Sequence, residues 1–560
     1  MTAEATIEFD VPATMRDGTV LLADVFRPAG DGPWPVVLVR TPYGKQYLGT
    51  LAYTAVRRGF LTVLQDVRGR FASGGEWEPL TNEEYDGYDT VRWAAALPGS
   101  SGAVGMLGAS YLGNTQWMAA VARPPELAAI VPSVTWSEPL DGPFMRGGAL
   151  ELGIMANWSL LQGIDTVARR WRHDVPELGR RLHALVADID ALASSTYWEL
   201  PPGEPPSFAR NDVPHGGFVA AVHDPAAADT CRVAGRQADT DVAAFHVGGW
   251  YDIFLQGTLD NHMAMVDAGR PSKLLVGPWP HAVPFPHQVG EVNFGFAANA
   301  GLVDLRRPLV DLELDWLDRW LTGRTPAADE APVRLFVMGV NRWRDEDAWP
   351  LARAVDTGLH LRAGGGLTRE APGRDEPADT YVFDPADPVP THGGALLMAS
   401  DFRQGPLDQA RVERRPDVLV FTAEPLPDDL EVTGRVSVRL YASTDAPSTD
   451  WVARLCDVDA SGVSRNVTDG VVRVSATPGE VGEHVVDLWS TSIVFRAGHR
   501  IRVQVTSSNF PRWDRNPNTG ESPRTATTSR PAHQTVHHDA ARRSRVVLPV
   551  VPSRAGGIPG

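Results

Sequence analysis

Ser110 lies in Gly105-Met106-Leu107-Gly108-Ala109-Ser110-Tyr111-Leu112-Gly113, between an apolar segment and a helix-like run, Asn114-Thr115-Gln116-Trp117-Met118-Ala119-Ala120. A strand that turns sharply into a helix at Gly-x-Ser holds the serine hydroxyl at the tip of the turn, the layout of a nucleophile elbow. A serine hydroxyl is a weak nucleophile. It needs a base, a group to orient that base, and donors for the oxyanion that forms. A turn serine that caps a helix is the plainer reading. The second glycine, Gly113, also stands one position later than Gly-x-Ser-x-Gly requires.

Two further apolar segments end in titratable residues. Phe245-His246-Val247-Gly248-Gly249-Trp250-Tyr251-Asp252 reads as a strand closing on an aspartate, and Leu274-Leu275-Val276-Gly277-Pro278-Trp279-Pro280-His281 as a strand followed by a loop histidine. In open parallel sheets, sites form beyond the carboxyl ends of the strands. Ser, Asp and His follow one another in the order of the α/β-hydrolases. We therefore expect Ser110 as nucleophile, His281 as base and Asp252 as the orienting acid. Asp252 also suits a helix N-cap. Asp260 and His262 are rivals, but both fall along the following helix, where Asp260 reads as a solvated surface charge.

The backbone N–H of Tyr111 is one expected oxyanion donor. The second is expected from the loop Arg40-Thr41-Pro42-Tyr43-Gly44-Lys45, where Tyr43 offers a phenol or, on the plainer reading, packs on the sheet. No metal motif is visible. His537-His538 lies in an Arg-rich stretch that reads as solvated, and Gly364-Gly365-Gly366 lacks the Lys-Ser or Lys-Thr of a phosphate loop. The expected cofactor is none.

The elements that must hold these residues read as α/β at first. Strand-like runs occur at 20–26, 35–39, 60–64, 104–107 and 128–134, then again at 242–247, 273–276 and 333–338. From about Glu138 to Arg236 the strand signal fades, and Leu178, Leu182, Leu185, Val186 and Ile189 share a helical face. After Trp349, short alternating segments dominate. Val436, Val438 and Leu440 alternate with Arg435, Ser437 and Arg439, and Ile501, Val503 and Val505 with Arg502, Gln504 and Thr506. The expected organisation is an α/β core at 1–137 and 237–347, a helical cap inserted at 138–236, and an all-β jelly roll at 348–560.

At 560 residues the chain exceeds a single core. Its net charge of −17 argues against nucleic acid and anionic membrane partners. Cys231 and Cys456 alone build neither a disulfide framework nor a cysteine zinc site. The N-terminus shows no basic and apolar leader pattern, and no apolar run is long enough to span a bilayer, so a cytoplasmic location is expected.

The residues together resemble the cocaine-esterase-like serine hydrolases, relatives of X-prolyl dipeptidyl peptidases and α-amino-acid ester hydrolases. The resemblance rests on Arg40-Thr41-Pro42-Tyr43 and on Asp66-Val67-Arg68-Gly69-Arg70 through Ser73-Gly74-Gly75. It continues in Gly108 to Gly113, Gly249-Trp250-Tyr251-Asp252, Gly277 to His281 and Ser507-Ser508-Asn509-Phe510-Pro511. It spans nearly the whole chain, and Gly113 is the family's form of the motif. It implies an α/β-hydrolase core with inserted helical cap and C-terminal jelly roll. It also implies a Ser110–Asp252–His281 triad and an oxyanion hole of Tyr43 and Tyr111. Asp66, Arg68 and Arg70 are also family-like and are expected to be structural, an ion-pair knot supporting the site, rather than catalytic.

The amino-ester branch of the resemblance carries acidic residues just after the triad aspartate. This chain has Ile253 and Phe254 there. That favours an apolar acyl pocket, for which Phe144, Trp158, Trp250 and Phe254 are the candidates, plain core packing being the alternative. The leading expectation is a serine carboxylesterase acting on a small-molecule ester. An acylase or X-Pro-type dipeptidyl peptidase on the same triad is the second reading. A catalytically silent protein whose jelly roll binds a ligand, such as a carbohydrate, is the third. The resemblance is compatible with a homodimer.

Overall fold

The computed structural model describes residues 5–215, 217–323, 330–523 and 525–552. Its N-terminal part is built on ten strands: β1 (Thr6–Thr14), β2 (Val20–Arg27), β3 (Trp34–Thr41), β4 (Leu61–Asp66), β5 (Ser100–Ala109), β6 (Leu127–Ser133), β7 (Ala243–Tyr251), β8 (Ser272–Pro280), β9 (Val333–Val337) and β10 (Arg342–Glu346). They lie in the order β1-β2-β4-β3-β5-β6-β7-β8-β9-β10. β1, β2 and β10 run antiparallel to their neighbours, and β4 through β9 are parallel. The parallel strands are apolar on both faces because helices cover both. Val36, Val37, Leu38 and Val39 of β3 have no exposed surface.

The main helices are α1 (Gly49–Arg57), α2 (Glu83–Ala95), α3 (Tyr111–Ala122), α4 (Leu152–Trp171), α5 (Val175–Asp190), α6 (Leu255–Asp267) and α7 (Leu309–Thr322), of which α1, α2, α3, α6 and α7 pack on the sheet. α3 is buried from Tyr111 to Val121 without a break, so its sequence carries no amphipathic stripe. α4 and α5 belong to the helical insert between β6 and β7. Asp174 opens α5 by accepting a hydrogen bond from the Glu177 N–H at 3.1 Å. Leu185 is fully buried on the expected stripe, and Leu178, Leu182 and Ile189 pack half-buried against the core. Val186 departs from that expectation: it is 42% exposed, because it lies one residue round the helix from Leu185.

A mostly antiparallel β domain follows. Strand Leu430–Thr444 pairs with Gly482–Phe495, and Ser448–Val458 with Ser464–Ser475. The predicted alternation holds at Val436, Val438 and Leu440, each buried beside more exposed neighbours. Along Arg500–Thr506 it fails, since Gln504 and Thr506 are buried as well. Gln504 accepts from Arg454 and donates to Glu413, so a polar layer covers that face. His538 is also a correction. It is buried against Phe421 and bonded to Asp379 at 2.9 Å rather than solvated, and His537 is half-buried.

Because β5, β7 and β8 are parallel, their C-terminal ends open on one edge of the sheet. The residues that follow them are Ser110, Asp252 and His281.

Candidate active site

Ser110 joins β5 to α3 with φ 62° and ψ −123°, a region that costs a non-glycine residue on the order of 1–3 kcal/mol. Its backbone is held on both sides. The N–H donates to the Ser133 carbonyl at 2.9 Å, and the carbonyl accepts from the Thr135 hydroxyl at 2.9 Å and from the Gly113 N–H at 2.8 Å. The two flanking glycines have separate steric reasons. A Cβ on Gly108 would lie 2.6 Å from the Leu112 Cβ, and one on Gly113 would lie 2.7 Å from the Thr135 Cβ. The late second glycine thus serves the approach of α3 to the end of β6.

Asp252 is fully buried, and both carboxylate oxygens are used. One lies 2.5 Å from His281 Nδ1 and the other accepts from the Phe254 N–H at 2.8 Å. The second bond fastens the turn that leads into α6, so the turn-stabilising role and the orienting role coexist. A carboxylate only accepts, so Nδ1 carries the proton and Nε2 is left as the basic nitrogen. The rival residues sit elsewhere. His262 is buried within α6 and bonded to Ser272 at 2.8 Å. Asp260 is half-buried rather than solvated and bonded to Gln256.

Tyr43 reaches the same place from the loop after β3. Its hydroxyl accepts from Trp158 Nε1 on α4 at 3.1 Å and lies close enough to the Ser110 side chain to be influenced by it. Burial raises the phenol above its ordinary range, against the opposing pull of Trp158, Ser110 and the Arg70 charge. It stays a neutral donor, and with Trp158 on its acceptor side the O–H is free to point at Ser110. Tyr111 differs. Its phenol donates to Glu83 at 2.7 Å and accepts from the Leu80 N–H at 3.0 Å, while Glu83 pairs with buried Arg40 at 2.8 Å. Only its backbone N–H remains for substrate, and as the first residue of α3 that N–H has no intrahelical acceptor.

Of the expected pocket residues, Phe254 lies against His281 edge-on with ring centroids 5.1 Å apart, and Trp158 stacks over Tyr111 at 6.1 Å. Phe144 is buried against Phe218. Trp250 is a correction. Its Nε1 donates to the Phe336 carbonyl at 2.7 Å and its ring meets Trp349, toward β9 and the C-terminal domain. Asp252 lies past the end of β7, so the alternation that would put it beside Trp250 does not extend to it. The expected ion-pair knot holds only in part: Asp66 faces Lys45 at 3.7 Å, Arg68 pairs with Asp86 and Asp17, and Arg70 faces Asp165 at 3.4 Å, but the three do not pair with one another. Asp66 also accepts from the Lys45 N–H, and Arg70 also reaches Pro42 and Gln162.

One neighbour of the elbow carried no signal in the sequence. Glu313 on α7 accepts from the Ser133 hydroxyl at 3.3 Å. Burial pushes its carboxyl up to about 7, the Ser133 bond opposing. Such an acid keeps its proton longer in the folded chain. Its contribution to stability is complete below its ordinary value near 4.5 and is lost as pH rises through about 7. Glu313→Gln keeps an acceptor for Ser133 and removes the titration. Between pH 5 and pH 8 the variant is therefore expected to gain stability relative to the parent by about 2 kcal/mol. Parallel thermal melts at the two pH values check this, and an unchanged difference would place the carboxyl in ordinary solvent.

Among the described residues, no group of three or more His, Cys, Asp or Glu is placed to hold a metal ion, and no helix is long and apolar enough to cross a membrane.

Residues 17–283 match the model of the X-Pro dipeptidyl-peptidase (S15) family, and residues 326–547 match the X-Pro dipeptidyl-peptidase C-terminal non-catalytic domain. The chain is 37% identical to a cocaine esterase from Rhodococcus sp. (strain MB1 Bresler), over 98% of this chain and 99% of that one. Among solved structures, an aminopeptidase from a marine sediment Thaumarchaeota archaeon superposes with a TM-score of 0.80 at 24% identity, covering 98% of this chain and 97% of that one. An α-amino acid ester hydrolase superposes with a TM-score of 0.75, also at 24% identity and the same coverage. The two structural likenesses concern the fold.

Proposed function

Since the chain belongs to the X-Pro dipeptidyl-peptidase (S15) family of serine hydrolases, with cocaine esterase among its relatives, we propose that it is a carboxylesterase acting on small-molecule esters through an acyl-enzyme at Ser110. The observation that carries this reading is the hydrogen-bonded His281–Asp252 pair at the sheet edge that also holds the strained Ser110 and the Tyr43 phenol.

The chemistry follows from those atoms. His281 Nε2 takes the Ser110 proton as Oγ bonds to the ester carbonyl carbon. Asp252 keeps the tautomer and stabilises the imidazolium without itself being protonated. The carbonyl oxygen becomes an oxyanion between the Tyr43 O–H and the Tyr111 N–H. Collapse breaks the ester C–O bond, and His281 returns the proton to the departing alkoxide. Water, activated by the same imidazole, then releases the acid and restores Ser110.

The choice of ester over amide or peptide rests on the residues after Asp252. Ile253 and Phe254 are buried and apolar, and Phe254 packs on His281 itself. They offer no carboxylate to a substrate ammonium and favour an aromatic or apolar acyl group. Matched substrates test this. With one acyl group carried on an ester and on the corresponding amide or X-Pro peptide, kcat/KM is expected to favour the ester by at least about 10³-fold, on the order of 4 kcal/mol. Comparable rates on the peptide would move the assignment to a dipeptidyl peptidase.

A further inference from the structure

Arg70 is buried to 2% exposure, and each of its guanidinium nitrogens has a partner. Nε donates to the Pro42 carbonyl at 2.8 Å. Nη1 donates to the Gln162 carbonyl and Nη2 to the Gln162 side-chain oxygen, both at 2.9 Å. Asp165 lies 3.4 Å away, and the cation rests over the Trp77 ring at 4.1 Å. Pro42 immediately precedes Tyr43. Gln162 and Asp165 lie four and seven residues beyond Trp158, on the same face of α4, and Trp158 is the residue that bonds the Tyr43 hydroxyl. One arginine therefore grips the backbone beside Tyr43 and also the helix that holds its phenol. The same loop continues the dock: Asp165 accepts from the Phe71 N–H at 3.2 Å, and Arg169 donates to the Ser73 carbonyl at 2.7 Å.

We propose that Arg70 is a positioning residue that clamps cap helix α4 to the Tyr43 loop, so that the oxyanion phenol is aimed only while the cap is docked. This rests on the oxyanion role of Tyr43 argued above. Burying a guanidinium costs solvation, and burial pushes Arg70 down from its ordinary value. The flat fork recovers that cost by satisfying three acceptors from two elements at once. A lysine, with one nitrogen on a flexible stem, cannot hold that geometry.

A double-mutant cycle on the full-length enzyme tests the clamp. Tyr43→Phe alone is expected to lower kcat about 10²- to 10³-fold, the loss typical of one oxyanion donor. Arg70→Lys is expected to lower kcat between about 10-fold and about 100-fold with KM within about twofold. In the Tyr43→Phe background the same substitution is expected to cost less than about threefold, because the group it aims is gone. Gln162→Ala, on the cap side, guards against misfolding of the lysine variant and should show the same pattern in smaller measure. Equal losses in both backgrounds, or full kcat in both Arg70→Lys and Gln162→Ala while Tyr43→Phe is slow, overturn the clamp alone. Full kcat in Tyr43→Phe overturns the oxyanion reading and the clamp with it.

Discussion

Ser110→Ala is expected to lower kcat on an activated ester by about 10⁶-fold, leaving only the acceleration that binding and the oxyanion donors supply. The fold should survive. The backbone of residue 110 is fixed by Ser133, Thr135 and Gly113, and none of these bonds uses the hydroxyl. Alanine at φ 62° bears the same strain as serine. The substrate KM is expected to stay within about threefold, because the lost interaction exists only once the bond to carbon begins to form. Circular dichroism, thermal melts and single-turnover rates on a chromogenic ester check the three parts separately. A variant that keeps more than about 1% of kcat would show that a group other than the Ser110 hydroxyl does the work.

Asp252→Asn has the second largest expected effect, a fall in kcat of about 10⁴-fold. The carboxylate presents two acceptors, one to His281 Nδ1 and one to the Phe254 N–H. An amide has one oxygen. If that oxygen stays on Phe254, the NH₂ faces Nδ1, and the imidazole must carry its proton on Nε2, where it cannot accept from serine. If the oxygen turns to His281, the NH₂ meets the Phe254 N–H donor to donor, and the turn into α6 loses its fastening. A buried donor left without an acceptor costs about 1–3 kcal/mol, so a loss of stability should accompany the loss of rate. Kinetics together with chemical denaturation separate the two arrangements. Near-normal turnover in this variant would mean that His281 does not need Asp252 to hold its tautomer.

The framework of this site was legible because strand ends leave strong marks. Three apolar runs close on Ser110, Asp252 and His281, and a sheet whose strands are parallel brings such ends to one edge. Gly108 and Gly113 marked the elbow for a reason visible only in three dimensions, the contacts of a Cβ with Leu112 and with Thr135. Side-chain direction was far less legible. Trp250 is an aromatic two residues before the acid, yet it faces Phe336 and Trp349 because the chain leaves β7 before Asp252. Asp66, Arg68 and Arg70 stand together in sequence, but a tight turn after β4 sends each to a separate set of partners. Charge counting could not reveal that Arg70 answers a proline carbonyl and a glutamine rather than an acid of its own loop.

Burial of polar residues was the other blind spot. Glu313 lies in an amphipathic helix where a glutamate normally faces water, yet it ends against Ser133 under the elbow. His538 follows an exposed-looking pattern and is fully buried on Asp379. In each case the partner is distant in sequence, 180 residues for Glu313 and 159 for His538. Local composition carries no trace of pairs that far apart.

In this mechanism the Ser110 oxygen forms the covalent intermediate. Labelling with an organophosphonate ester, followed by mass spectrometry of the digested protein, tests it most directly. One phosphonyl group per chain is expected on Ser110, with uptake in step with loss of esterase activity and no uptake by Ser110→Ala. Activity lost in step with a label on another residue, or equal labelling of Ser110→Ala, would contradict it.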